Sequence, residues 1–174
     1  RQRLYTTDEK LLAEIVEQSR DWCFFCPEKI NQFTPRYPKG LIPGGRIVVG
    51  EACLMPNLFP QKEYSAITVV SHQHFVALNE FTTEILANAF RTCSIFFHRL
   101  YEKKSVRHAE IGLNYLPPGG AGLVHPHLQI TASGWPCTLT ANLVDYSKEY
   151  YAQHHVSFWK NLVQTEKEIG DRYI

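Results

Sequence analysis

The residues best suited to chemistry fall into four short groups: Cys23-Phe24-Phe25-Cys26, Ser71-His72-Gln73-His74, Pro117-Pro118-Gly119-Gly120-Ala121-Gly122 and His125-Pro126-His127-Leu128-Gln129. Two thiols separated by two residues can turn both sulfurs toward one ion, which makes half of a tetrahedral zinc site. The same spacing serves dithiol redox chemistry, and Trp22 before Cys23 fits a thioredoxin-type W-C-x-x-C. That motif needs a helix continuing past the second cysteine, and Pro27, Pro35 and Pro38 oppose a long one. Simple packing of two small apolar thiols is the third reading. A zinc site needs two more ligands, and the histidine pairs at 72/74 and 125/127 lie at the ends of expected strands.

His125 and His127, two apart on a strand, project to one face with Cα atoms roughly 6.5 to 7 Å apart. Two such rings share a metal, or one binds it while its neighbour faces a substrate. Just upstream, Gly119, Gly120 and Gly122 permit φ > 0 and close backbone approach, so that amide donors can cradle an anion such as phosphate. Those glycines alone would read as a plain hairpin turn. Their junction with H-x-H-x-Q favours a site.

The elements that must position these groups follow from periodicity. Thr6 with Glu9 reads as a capping box ahead of a helix carrying Leu11, Leu12, Ile15 and Val16, ending near Arg20. Asn79 is placed to cap a long second helix whose apolar stripe runs from Phe81 through Ala89, Cys93 and Phe96 to Tyr101. A third helical stretch is expected from about Leu143 to Ile169. Strands are expected over Gly45 to Pro56, Tyr64 to Ser71, Ala109 to Leu116 and Leu123 to Ala132, with an irregular proline- and glycine-rich segment from Thr34 to Gly45. Strands joined by loops, with helices inserted singly, argue for an antiparallel α+β sheet. No glycine-rich turn opens a helix, which removes Rossmann and P-loop readings.

Composition bounds the rest. The 174 residues, 44% hydrophobic and 13% aromatic, suffice for one ordinary domain or two small ones. Eighteen Lys and Arg against 17 Asp and Glu give +1, so no basic footprint for nucleic acid or a membrane face is expected. No apolar run reaches the roughly 18 residues needed to span a bilayer, and Arg1 to Glu9 lacks a signal-peptide layout. Five cysteines, an odd number, fit a reducing compartment, and a cytoplasmic protein is expected.

At this point the residues carry a resemblance. Asn114 through Gly120 to His125-Pro126-His127-Leu128-Gln129 is similar to the active-site hairpin of the galactose-1-phosphate uridylyltransferase family, within the histidine-triad (HIT-like) superfamily. Cys23 and Cys26 match its N-terminal C-x-x-C; Ser71, His74, Leu78 and Glu80 match its S-x-x-H-x-x-x-L-x-E; Lys148 to Ala152 continues the match, so that it covers about residues 22 to 174. The resemblance implies an α+β, HIT-like antiparallel sheet (a half-barrel) with a long packed helix and flanking helices. It implies a nucleotidyltransferase that moves a nucleoside monophosphate between a nucleotide sugar and a hexose 1-phosphate through a covalent nucleotidyl-histidine at His127. A phosphorylase or hydrolase acting on an ADP-sugar or dinucleoside polyphosphate is the alternative within the superfamily, and a zinc-stabilised nucleotide-binding module without turnover is the alternative outside catalysis.

By the same resemblance one structural Zn2+ is held by Cys23, Cys26, His74 and His125, with His72 the less favoured substitute for His74. Gln129 steadies the phosphoryl oxygens and Asn114 is a second phosphate contact; Asn57 and Phe59 face ribose and base, and Gly120 and Gly122 of the glycine loop are counted with the substrate-binding residues. The chain departs from the pattern at Leu58, where the family has an acidic residue, and at Gly122, where it has a serine. It departs again at Leu143, where some members carry a carboxylate for a second metal, and in lacking the family's paired arginines before Arg20. Residues 1–174 are expected to form a single domain resembling the family's N-terminal half. It would comprise an N-terminal helix within 1–21 and a helical segment at 143–170 leading, near Gln164 to Arg172, to an absent second half that a homodimer could supply. Cys93, Trp22, Trp135 and Trp159 are read as packing residues.

Overall fold

A computed structural model of the chain describes residues 8–103 and 106–170. It divides between Gly134 and Trp135 into two compact units.

The first unit opens with helix α1 (Glu9–Arg20), capped by Asp8, whose carboxylate accepts from the amides of Lys10 and Leu11. Thr6, expected in that role, lies outside the described residues. Helix α2 (Pro27–Phe33) follows the second cysteine directly, with Pro27 in the first turn, where a missing N–H costs nothing. The run expected as one strand from Gly45 to Pro56 is a hairpin, β1 (Ile47–Val49) and β2 (Ala52–Pro56). Gly50 turns it at φ +56°, a conformation that favours glycine, and a Cβ there would have to displace the Asn88 amide. Strand β3 (Tyr64–Val69), helix α3 (Thr83–Lys103), β4 (His108–Leu113) and β5 (His127–Ser133) complete an open antiparallel sheet of order β1-β2-β3-β5-β4. The cap of α3 is Thr82, whose hydroxyl accepts from the amide of Ile85, rather than Asn79. Asn79 instead lies in a separate 3-10 turn, Leu78–Glu80, where the Glu80 carboxylate accepts from Ala77 N.

Side-chain alternation gives the sheet two different faces. Leu54, Ala66, Leu128, Ile130 and Ala132 pack against Ala89, Cys93, Phe96 and Leu100 of α3 in the main core. Cys93 is therefore a core residue, and a hydroxyl pair, Thr68 with Thr92 at 3.0 Å, sits at the same contact. The opposite face is ordered by register into two rows, Val48–Cys53–Val69–His127 and Met55–Ile67–Gln129. Phe25, Cys23 and Cys26 pack over part of it. Trp22 is exposed rather than packed, because the turn after α1 directs the two cysteines inward and their neighbour outward.

The second unit is a pair of helices, α4 (Thr138–His154) and α5 (Phe158–Ile169), where the sequence pattern suggested one stretch from Leu143. His155 breaks it in a left-handed conformation, donating its amide to Tyr151 O at 2.8 Å, and Ser157 starts the next helix. Tyr150 stacks on His154 and packs edge-on to Phe158, closing the turn. Trp135 and Trp159 are exposed. No described helix is long and apolar enough to cross a membrane.

Candidate functional site

Cys23, Cys26, His74 and His125 converge. Their four ligand atoms lie within 4.8 Å of one another, and all four residues are buried. Cys23 Sγ is 3.6 Å from His125 Nδ1, and Cys26 Sγ is 3.3 Å from His74 Nδ1 and 3.7 Å from His125 Nδ1. A tetrahedron of thiolates and imidazoles about one ion, with metal–sulfur near 2.3 Å and metal–nitrogen near 2.1 Å, has such edges of roughly 3.5 Å.

The tautomers agree with that use. His125 Nε2 lies 2.9 Å from Ser71 O and His74 Nε2 lies 3.1 Å from Val16 O. A carbonyl only accepts, so each Nε2 carries the proton and each Nδ1 turns a lone pair toward the sulfurs. The Ser19 hydroxyl donates to Val16 O at 3.0 Å and stands 2.9 Å from His74 Nε2 as a second acceptor. These holders are the partners that metal-bound imidazoles ordinarily have. Burial, together with Cys23 alongside, pushes the Cys26 thiol up to about 12, and burial pushes His125 down to about 4. Without a cation Cys26 and His125 therefore stay uncharged; a bound cation is what would bring a thiolate into so dry a place. The residues form a Cys2His2 cluster capable of coordinating a metal ion. His72 is exposed and takes no part in it.

His127 begins β5 and points elsewhere. His125 and Pro126 precede the strand, so the two rings part: His125 goes to the cysteines and His127 lines a cavity of about 260 Å³. His127 Nδ1 lies 2.8 Å from His125 O and must donate to it, which leaves the Nε2 lone pair free. Burial lowers the pKa of His127 below that of ordinary histidine, with the His125 carbonyl acting the other way. The neutral ring is thus the resting form.

Gln129, Asn57, Phe59 and Gly122 line the same cavity, and its walls include Phe24 and Phe25. Asn57 is locked in a local turn, its Oδ1 accepting from Phe59 N at 2.9 Å. Asn114 and Gly120 are not among the lining residues; they neighbour each other, a Cβ on Gly120 falling 3.6 Å from the Asn114 amide nitrogen. Of the three loop glycines only Gly120 has positive φ, at +89°. The other residue there with positive φ is Leu116, at +60° with ψ 165°.

Sequence reasoning passed over Phe25, whose buried ring meets His127 edge-on at 5.2 Å and His125 at 6.1 Å. It also passed over Val16 and Ser19 as holders of His74. Val16 was read only as part of the apolar pattern of α1, and its contact is made by a main-chain carbonyl, which no side-chain pattern marks.

No family model matches the chain. An uncharacterized protein of Archaeoglobus fulgidus is 34% identical over 161 residues, 92% of this chain and 48% of that protein. Among solved structures, a GalT-like protein of Arabidopsis thaliana superposes with TM-score 0.65 at 14% identity, covering 76% of this chain and 47% of that one. An ADP-glucose phosphorylase of Arabidopsis thaliana, solved with ADP-glucose, gives 0.65 at 14% identity over 77% of this chain and 47% of that one. The chain spans about half the length of each of these relatives. At such identities the structural likeness is one of fold, and the described residues carry an α+β fold: an open antiparallel sheet with one long helix on one face and a Cys2His2 cluster on the other.

Proposed function

We propose that the chain is the nucleophile-bearing part of a nucleotide-sugar phosphorylase or hydrolase, with His127 as the attacking group. The observation that carries this reading is the His127 ring itself: neutral, held at Nδ1 by a carbonyl, its Nε2 unencumbered in a ligand-sized cavity. The Nε2 electron pair would attack the α-phosphorus of a nucleoside diphosphate sugar. A P–N bond forms, the P–O bond to the sugar phosphate breaks, and sugar 1-phosphate leaves with the electron pair. Phosphate or water would then attack phosphorus and return the pair to Nε2. Throughout, the Nδ1 proton stays on the bond to His125 O, where it stabilises the positive ring. Gln129, two residues along the same face, would donate its amide to the phosphoryl oxygens without titrating. Phe24, Phe25 and Phe59 would give the base an apolar enclosure.

Zinc at Cys23, Cys26, His74 and His125 would serve as a clamp, since all four positions are taken by protein. His125 would link clamp and nucleophile, its ring in the cluster and its carbonyl on His127. The fold likeness to the ADP-glucose phosphorylase supports inorganic phosphate or water as acceptor ahead of a hexose 1-phosphate.

Incubation with labelled ADP-glucose or UDP-glucose is expected to yield an acid-labile nucleotidyl adduct in the wild type and none in His127→Asn. Added phosphate should then release nucleoside diphosphate, whereas water alone should release the monophosphate. Equal labelling of the two proteins would sink the reading. A second reading, nucleotide binding without turnover, draws on the cavity's lack of any Lys, Arg, Asp or Glu among its described lining residues. Calorimetric binding of ADP-glucose with no adduct would favour it.

A further inference from the structure

On the same sheet face, on the side of Phe25 toward the β1 edge, lies a second cavity of about 500 Å³. Val48, Cys53 and Val69, the outer part of the His127 row, form part of its floor, and Phe25 lines both cavities. Two guanidinium groups, Arg36 and Arg46, stand in its wall. The loop from Thr34 to Gly45 puts them together: it folds back so that Tyr37 N donates to Gly45 O at 2.8 Å, and Gly45 takes φ +75° against Arg36.

Arg46 is buried to about nine-tenths, yet every partner it has is neutral. Its terminal nitrogens donate to Asn31 Oδ1, Ile30 O, Thr34 O and Thr34 Oγ1. Its Nε is buried with no acceptor. Arg36 donates to the same Asn31 Oδ1 at 3.3 Å and to Gly44 O at 3.4 Å, so two cations crowd one amide oxygen. Neither forms an ion pair among the described residues. Glu51 is the one carboxylate in the lining, and it is occupied by the Ser71 hydroxyl at 2.7 Å and the His72 amide at 3.0 Å. Burying a guanidinium beside a like charge is costly unless an anion shares the site, and planar N–H forks suit oxyanions such as phosphate. Capping of the carbonyls at the end of α2 explains the Nη contacts of Arg46 but not the orphan Nε, and Arg36 beside it is exposed at the mouth of the cavity.

We propose that this cavity is an oxyanion site that takes a phosphate group, free or esterified to a small polyol, between Arg36 and Arg46. It is separate from the nucleotide reading above and does not depend on it. The test is calorimetric titration of the whole chain with inorganic phosphate at fixed ionic strength, with chloride as control, for wild type, Arg36→Gln, Arg36→Lys and His127→Asn. Arg46 is avoided because it ties α2 to the loop and its loss would unfold them. Phosphate is expected to bind wild type and His127→Asn alike. Loss of one charged hydrogen-bond donor should weaken binding about tenfold or more in Arg36→Gln, with partial recovery in Arg36→Lys. Repeating the titration with glucose 1-phosphate identifies the source: tighter binding than phosphate marks an ester, equal binding the free ion, and either supports the site. No binding above the chloride control overturns the proposal. So does equal affinity in Arg36→Gln, or binding lost in His127→Asn but kept in Arg36→Gln.

Discussion

His125 does three things at once: its Nδ1 faces the thiols, its Nε2 donates to Ser71 O, and its carbonyl accepts from His127. His74 is held comparably, but with a side-chain helper, so the contribution of ring-holding can be measured there. Ser19→Ala removes one of two acceptors at His74 Nε2 and leaves Val16 O. Zinc affinity is expected to fall about tenfold in a competition titration, in line with the effect of such outer partners elsewhere. Unchanged affinity would show that Val16 O suffices. Cys23, Cys26 and His125 were legible in the sequence because C-x-x-C and H-P-H are local patterns, whereas His74 was preferred over His72 only through the S-x-x-H spacing of the resemblance. Phe25 was not legible, because a phenylalanine between two cysteines gives no hint of which way its ring will face. Asn114 and Gly120 are close to His125 along the chain but lie outside the described lining of the cavity that His127 enters.

Among elements, the Gly50-Glu51 turn is tied to the end of β3, the segment that supplies Ser71 and leads to His74. Two hydrogen bonds to the Glu51 carboxylate, first the His72 amide and then the Ser71 hydroxyl, hold its pKa below the usual carboxylate value. A carboxylate with a depressed folded pKa contributes stability that is present above its unfolded pKa and lost as pH falls through the folded value. Glu51→Gln should therefore lower Tm at neutral pH, and the gap from wild type should close as pH drops through and below the ordinary carboxylate range. A gap independent of pH would exclude the carboxylate as its cause. The long helix α3 was readable from its stripe because a strong 3.6-residue period leaves little choice of face. The hairpin at Gly50 was hidden inside a run that is apolar on both sides of the turn. The break at His155 was hidden because neither Gly nor Pro marks it, and the left-handed residue is a histidine.

Across the whole molecule, the cluster joins segments far apart in sequence, Cys23 and His125 being 102 residues distant. An ion bound there would favour the folded state alone, stabilising it by roughly 2.7 kcal/mol at about 100 times its dissociation constant. Stripping zinc with a chelator should lower Tm by several degrees, and restoring it should recover the loss, whereas Cys26→Ser should respond to neither treatment. A chain proved by elemental analysis to have lost its zinc without a change in Tm would contradict the clamp. Each of the three rings at the site takes its proton position from main chain: Val16 for His74, Ser71 for His125, His125 for His127. A saturation scan of substitutions would register the histidines themselves and leave those carbonyls silent, since every amino acid carries one. The acid–base pattern is encoded in the path of the backbone, and it can change only if that path does.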